Sequence, residues 1–237
     1  MRIAMWSGPR NLSTAMMYAF AARGDCAVVD EPFYAAYLEK TGLAHPMRDD
    51  ILAAQPQDPE VVVEEICGSI PGDIPHFYQK HMTQHMIDGV PRDWMRGVQN
   101  VFLIRHPARV IASYAAKREN PVLDDIGFRQ QAELFDLVRG WGQRPVVIDS
   151  HDIRADPRAA LEGLCEAIGL EFTENMLSWP KGGHPDDGVW APHWYGAVWQ
   201  STGFAAPEGP LPQVPADLRP VLEAAMPFYE RMRAEKL

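Results

Sequence analysis

Two turns in this 237-residue chain carry the residue types that bind anions. The first, Gly8-Pro9-Arg10-Asn11-Leu12-Ser13-Thr14, follows the apolar run "IAMWS" (3–7) and opens a segment of helical pattern. The second, Arg105-His106-Pro107, ends the apolar run "NVFLIR" and is followed by Ser113. The amino end of a helix presents unpaired N–H groups and the positive end of its dipole, which favours an anion there. Gly8 and Pro9 shape the first turn, Arg10 adds a planar cationic fork suited to oxyanions, and Ser13 and Thr14 add hydroxyl donors. This is phosphate-binding chemistry without the Gly-Lys-Ser/Thr ending that holds magnesium in nucleoside triphosphatases. Read alone, the same turn also fits a capped helix, with Asn11 or Ser13 as N-cap and Arg10 in solvent. In the second turn Pro107 takes the position that helix starts favour, and helical spacing sets Ser113 on the face of Arg109. Arg105 and Ser113 could together clamp a second phosphate; the plain alternative is a surface helix with Arg109, Lys117 and Arg118 solvated.

The elements that must position these turns follow from hydrophobic pattern. Short apolar runs at 3–7, 26–30, 76–82, 100–105 and 145–149 predict strands. Helices are expected over 11–23, 32–40, 59–70, 108–117, 128–141, 157–168 and 216–235. Gly169 is the C′ glycine of the helix at 157–168, and Pro220 and Pro227 are expected kink points in the last one. Residues 41–59 read as irregular, and 178–213, rich in Gly, Pro and Trp, as a long ordered loop. Strands apolar throughout and alternating with helices predict an α/β, three-layer fold. Its central, mainly parallel sheet would have about five strands flanked by helices, in a single domain over 1–237. In such sheets ligands bind beyond the carboxyl ends of the strands, and the chemically interesting residues follow the first, second, third and fourth strands.

Composition narrows the function classes. A formal charge of −10 argues against a general nucleic-acid binder, though a local cationic pocket on an acidic protein can still take a small anion. No run approaches about 18 unbroken apolar residues, so no membrane span is expected. Cys26, Cys67 and Cys165 are odd in number and scattered, with no CxxC pair, which fits a reducing cytoplasm rather than a disulfide framework or zinc site. Arg2 and the apolar residues after it could be read as a secretory signal; the split at 7–11, with a charge inside it, argues against that.

The residues of the two turns also carry a resemblance. "SGPRNLST" resembles the 5′-phosphosulfate loop of the sulfotransferases, commonly Pro-Lys-Ser-Gly-Thr-Thr, with Pro9 on its proline, Arg10 on its lysine, and Ser13 and Thr14 on its threonines. "RHPARVIASY" is similar to their 3′-phosphate motif, an Arg-Asp-Pro run with a serine eight residues after the arginine. Arg105, Pro107 and Ser113 match it, and His106 replaces the acidic residue. Order and separation match as well. The resemblance implies a P-loop-type fold, the cofactor 3′-phosphoadenosine 5′-phosphosulfate (PAPS) with no metal, and transfer of a sulfuryl group to a hydroxyl of a small acceptor. The sequence departs from the family where Asn11-Leu12 stands for Ser-Gly and the flexible glycine is lost.

Sulfuryl transfer needs a base for the acceptor hydroxyl and a cation for the leaving oxygen, a task that falls to Arg10. Glu31, just past the second strand in "VVDEPFY", looks like the catalytic glutamate of some bacterial and glycan sulfotransferases. His81, in "YQKHMTQH", is the other candidate, one residue out of register with the Lys-x-His of cytosolic members. Lys80 would assist on the sulfuryl oxygens, and His85 is a weaker candidate. Lys181-Gly182 and Trp190 look like the family's late segment that folds over the cofactor; the same residues also fit a tryptophan-rich loop laid over the core. Two other functions stay open: a small-molecule kinase with Asp30 as its magnesium carboxylate, and a non-catalytic nucleotide-binding protein of the same fold.

Overall fold

Trp6 and Ala4 face one side of a central strand while Ile3 and Met5 face the other, and all four side chains are fully buried. A strand apolar on both faces can only lie inside a sheet covered on both sides. The computed structural model, which describes residues 1–115 and 121–237, puts it there. The strands are β1 (Arg2–Ser7), β2 (Cys26–Asp30), β3 (His76–Met82), β4 (Gln99–Ile104) and β5 (Val146–Asp149). They form one sheet in the order β2-β3-β1-β4-β5, and the pairings between them are parallel. Helices α1 (Ser13–Ala21) and α9 (Pro157–Ile168) cover one face with Met16, Phe20, Leu161 and Leu164. On the other face lie α5 (Pro107–Ala115), α7 (Phe128–Gly140) and α12 (Arg219–Arg233), which supply Val110, Phe135 and Tyr229. Each such large side chain stabilises the fold by roughly 1.5–3 kcal/mol.

The expected strands all form, within one residue at each end. The helices differ more. The first begins at Ser13, not at residue 11, because Arg10 and Leu12 take left-handed backbone angles, φ 62° and 72°. Gly8, just before them, is required by a close approach: a Cβ there would lie 2.4 Å from the carbonyl oxygen of Ile126, in α6 (Leu123–Ile126). The stretch expected to be irregular contains α3 (Arg48–Ala54), which buries Ile51. Helix α4 (Pro59–Cys67) starts from Asp58, whose carboxylate accepts from the Glu60 N–H at 3.0 Å. A short helix, α8 (Ser150–Ala155), leaves β5 directly, and α9 ends on Gly169 at φ 71°. Pro220 sits in the first turn of α12 and Pro227 inside it. The end of the helix expected over 108–117, with Lys117 and Arg118, lies outside the described residues.

Within 178–213 the chain is irregular but for two single-turn helices, α10 (Ala191–Trp194) and α11 (Gly196–Trp199). They are held down by a third cluster in which Trp190 and Tyr195 pack against Tyr34 and Leu38 of α2 (Tyr34–Thr41). Among the described residues no helix is long and apolar enough to cross a membrane.

Candidate active site

A cavity of about 330 Å³ opens beyond the carboxyl ends of β1, β2, β3 and β4. Its cationic wall comes from the two arginine-bearing turns, together with Arg154 of α8. Arg10 donates from Nε to the Ser113 hydroxyl at 2.9 Å, and Arg105 donates from Nη1 to the Arg10 carbonyl at 2.6 Å. The two turns are therefore one unit. Burial, with the neighbouring Arg105 second to it, holds the Arg10 guanidinium below its ordinary pKa. The left-handed angles at Arg10 and Leu12 wrap the backbone before the first turn of α1, and Asn11 fixes it by donating from Nδ2 to the Leu103 carbonyl at 3.2 Å. Pro9, Asn11, Leu12, Ser13 and Thr14 line the cavity beside Arg10.

The opposite wall is a buried ionic network. Lys80, 1% exposed, donates to Asp30 Oδ1 at 2.7 Å, to Glu31 Oε1 at 2.7 Å and to the Tyr195 hydroxyl at 2.6 Å. An ammonium has three N–H bonds, and these use all of them. Tyr195 in turn donates to Asp30 Oδ2 at 2.7 Å and accepts from Trp190 Nε1 at 2.9 Å. The Gly188 N–H closes on Asp30 Oδ2 at 3.0 Å. Burial works against the Lys80 charge, but Asp30 and Glu31 outweigh it and raise its pKa. Burial raises the Glu31 carboxyl, Lys80 pulls it back, and Asp30 pushes it up again; the net direction is upward.

The Glu31 backbone is left-handed at φ 42°, an uncommon place for a residue with a side chain. Three bonds impose it. Its N–H donates to the Lys80 carbonyl at 2.9 Å, and its carbonyl accepts from the Tyr34 N–H at 3.0 Å and from Gln55 Nε2 at 3.2 Å. The strained turn presents the carboxylate to the cavity instead of to the sheet edge.

Alternation along β3 separates the two neighbours that were both candidates. Lys80 reaches the cavity; His81 points to the other face. There His81 stacks on Trp6 with centroids 4.5 Å apart, bonds Gln79 Oε1 at 3.1 Å, and does not line the cavity. Burial drives its pKa down to about 3. Lys80 itself, with every N–H engaged, positions Glu31 and has no donor left for a ligand oxygen. His85 lines the cavity, stacked against Tyr34 and Tyr37 at 4.6 and 4.8 Å, and burial pushes it well below its ordinary pKa, which makes it a weak base. Lys181 is exposed and away from the cavity, and Trp190, 1% exposed, lies beneath Tyr195 instead of on the wall. Gly8 also lies off the wall, under α6. A His81→Asn substitution is accordingly expected to lower the melting temperature through lost stacking while leaving the shape of the pH–rate profile unchanged.

Tyr195 and Arg154 line the cavity, and Glu208, off the lining, pairs with Arg105; none of the three carries a signal in the sequence. They sit in irregular chain or a short helix, and only tertiary contact gives them partners. Among the described residues no group of three or more His, Cys, Asp or Glu side chains is arranged to hold a metal ion.

A family model described as "Sulfotransferase domain" matches residues 1–236. Among curated proteins, the chain is similar to two from Arabidopsis thaliana. It is 36% identical over 233 residues to "Branched-chain-amino-acid aminotransferase-like protein 1", covering 98% of this chain and 41% of that protein. It is 35% identical over 231 residues to "Branched-chain-amino-acid aminotransferase-like protein 2", with the same two coverages. The chain thus spans about two fifths of the length of these relatives. Among solved structures, the "Sulfotransferase Domain from the Synechococcus PCC 7002 Olefin Synthase" shares the fold, with a TM-score of 0.50 at 18% identity over 94% of each chain.

Proposed function

Because the chain belongs to the sulfotransferase domain family, we propose that it moves a sulfuryl group from PAPS to a hydroxyl of a small acceptor. One observation carries the reading: a cavity with paired arginines on one wall faces a buried carboxylate on the other. The residues present fit an adenosine cofactor with two anionic ends. Arg10 and the start of α1 suit the phosphosulfate, and Arg105 with Ser113 suits the 3′-phosphate. Four residues of the lining also have buried polar atoms without a protein partner, Asn11 Oδ1, Gln84 Oε1, His85 Nδ1 and Ser150 Oγ, and such atoms mark places where a ligand completes the bonding. PAPS, when bound, supplies an activated sulfuryl group.

The chain's own residues do the rest. Glu31 takes the acceptor proton, its basicity raised by burial toward the working pH. Lys80, Asp30 and Tyr195 fix its position. Arg10 meets the negative charge that develops on the leaving oxygen. The scattered free cysteines support placing the protein in the cytoplasm.

The kinase alternative needs a carboxylate for magnesium. Asp30, its candidate, already has both oxygens engaged by Lys80, Tyr195 and Gly188. A thermal-shift panel decides. Adenosine 3′,5′-bisphosphate (PAP) at about 100 times its Kd is expected to add about 2.7 kcal/mol of stability, a rise of roughly 5–10 °C. A chelator should leave that shift unchanged, because arginines and helix N–H groups neutralise the ligand. Stabilisation by ATP only with magnesium, and none by PAP, would move the assignment to a kinase. Stabilisation by both nucleotides without turnover would make the protein a non-catalytic binder.

A further inference from the structure

The arginine wall already holds an anion of the protein's own. Residues 204–215 run in irregular chain beside the cavity, which Ala205 lines, and set Glu208, whose side chain is 1% exposed, against the lining arginines Arg105 and Arg154. Its Oε1 accepts from Arg105 Nε at 3.1 Å, from Arg105 Nη2, and from Arg154 Nη1 at 3.0 Å. Its Oε2 lies 2.8 Å from Arg109 Nε. Three more bonds fasten the segment: Arg154 donates from both Nε, at 2.8 Å, and Nη2 to the Ala206 carbonyl, and Arg109 Nη2 donates to the Gly209 carbonyl. Burial disfavours the Glu208 charge, but Arg105, Arg109 and Arg154 prevail and keep its pKa below the usual carboxylate range.

Arg105 presents Nε and Nη2 to Glu208 and Nη1 to the Arg10 carbonyl. The Nε–Nη2 edge is a fork with which a guanidinium grips an oxyanion. A phosphate reaching Arg105 therefore meets a carboxylate already seated there. The two anions repel at this distance and cannot share the fork. A phosphate monoester carries more negative charge than a carboxylate and three acceptor oxygens. Arg10, Arg105, Arg109 and Arg154 outnumber the single Glu208, so the wall has charge to spare for it.

We propose that Glu208 is the resident occupant of an anion site built by Arg105, Arg109 and Arg154, and that a nucleotide phosphate enters only by displacing residues 204–215. The identification of that phosphate as the 3′-phosphate of PAPS or PAP rests on the sulfotransferase reading; the seat itself does not. Displacement makes Glu208 a residue that sets nucleotide affinity. The observed Kd is the intrinsic one divided by the fraction of molecules with the segment released.

The test is calorimetric binding together with amide hydrogen exchange across 204–215, on the full chain. PAP is expected to speed exchange in this segment of the unaltered protein. Glu208→Gln should exchange fast without ligand and bind PAP about tenfold more tightly, a gain of about 1.4 kcal/mol. Adenosine 5′-monophosphate, which lacks the 3′-phosphate, should show neither effect. Glu208→Asp, which keeps the charge but shortens its reach, should fall between, and the exchange readout needs no variant at all. If PAP binds the unaltered protein and slows or leaves unchanged the exchange of 204–215, or if Glu208→Gln weakens PAP, displacement is overturned and the sulfotransferase reading stands. If PAP binds neither protein, that reading fails, and inorganic pyrophosphate decides the rest. Tighter pyrophosphate binding to Glu208→Gln supports the seat; equal or absent binding removes it.

Discussion

Glu31→Gln is expected to lower sulfuryl turnover by about 10²–10⁴, the span of lost general-base catalysis, while PAP affinity stays within about threefold. Glutamine keeps the shape and can still accept from Lys80 Nζ, now 2.7 Å from the carboxylate, but it cannot take a proton. The pH profile gives a second readout. Burial raises the Glu31 carboxyl above its ordinary 4.5, so turnover should fall with acid through a pKa higher than that, and this limb should vanish in Glu31→Gln. Stability should move the opposite way. A carboxyl whose folded pKa is raised favours the fold below its unfolded pKa and loses that contribution as pH rises through the folded one. At neutral pH the ionised Glu31 is thus a burden on the fold, and Asp30 alone still balances Lys80 in the variant. The melting temperature of Glu31→Gln is expected not to fall. Full activity in Glu31→Gln with a competent acceptor would remove the base assignment.

Lys80→Met should do the reverse, with a large loss of stability. Removing the ammonium leaves Asp30 and Glu31 as adjacent buried carboxylates without their cation. Breaking a buried pair from one side costs about 3–5 kcal/mol, which for a domain of this size is of the order of 10 °C. The deficit is expected to narrow as pH falls, because protonation relieves two crowded carboxylates, and denaturant titrations at pH 5 and pH 7 measure it. In the unaltered protein the raised Lys80 pKa supplies stability that is present below the ordinary value of 10.5 and lost as pH climbs past it. An equally stable Lys80→Met would mean that the network is not held by charge.

Most strands were legible because a buried parallel strand is a short, largely apolar run, and "CAVVD" forms at the expected residues; "HFYQKHM" does so too, although Gln79, Lys80 and His81 interrupt its apolar character. The helix at residue 59 was legible for another reason: Pro59 suits a first helical turn and the glutamates favour helix against the three valines, while the Asp58 cap shows only in the structure. Helix α3 escaped because it buries little beyond Ile51 and follows Met47, whose left-handed φ of 61° no pattern announces. The same cause hid the true start of α1, since a left-handed Arg10 or Leu12 defies propensity and is imposed by tertiary contacts. Within the site, the two arginine turns could be read because each is contiguous. Lys80 and His81 could not be told apart, because alternation says that neighbours on a strand face apart but not which of them faces the cavity. Glu208 and Tyr195 were out of reach, as their roles exist only through partners remote in sequence.

Strand order has a consequence for the time course of assembly. β1 lies between β3 and β4, so Ile3 must wait for Tyr78 on one side and Gln99 on the other before its ladder is complete. β2, the strand made next, finds β3 as its one sheet neighbour among the described residues. Sheets knit from such distant segments fold in milliseconds to seconds, not microseconds, since long loops must close before any pairing repays the entropy. On a ribosome, Arg10 emerges long before Arg105 can reach its carbonyl, and the unpaired apolar strand of Ile3 to Trp6 is exposed throughout that interval. The anion site is thus a late product of folding, and the carboxylate that seals it, Glu208, is synthesised last among its parts.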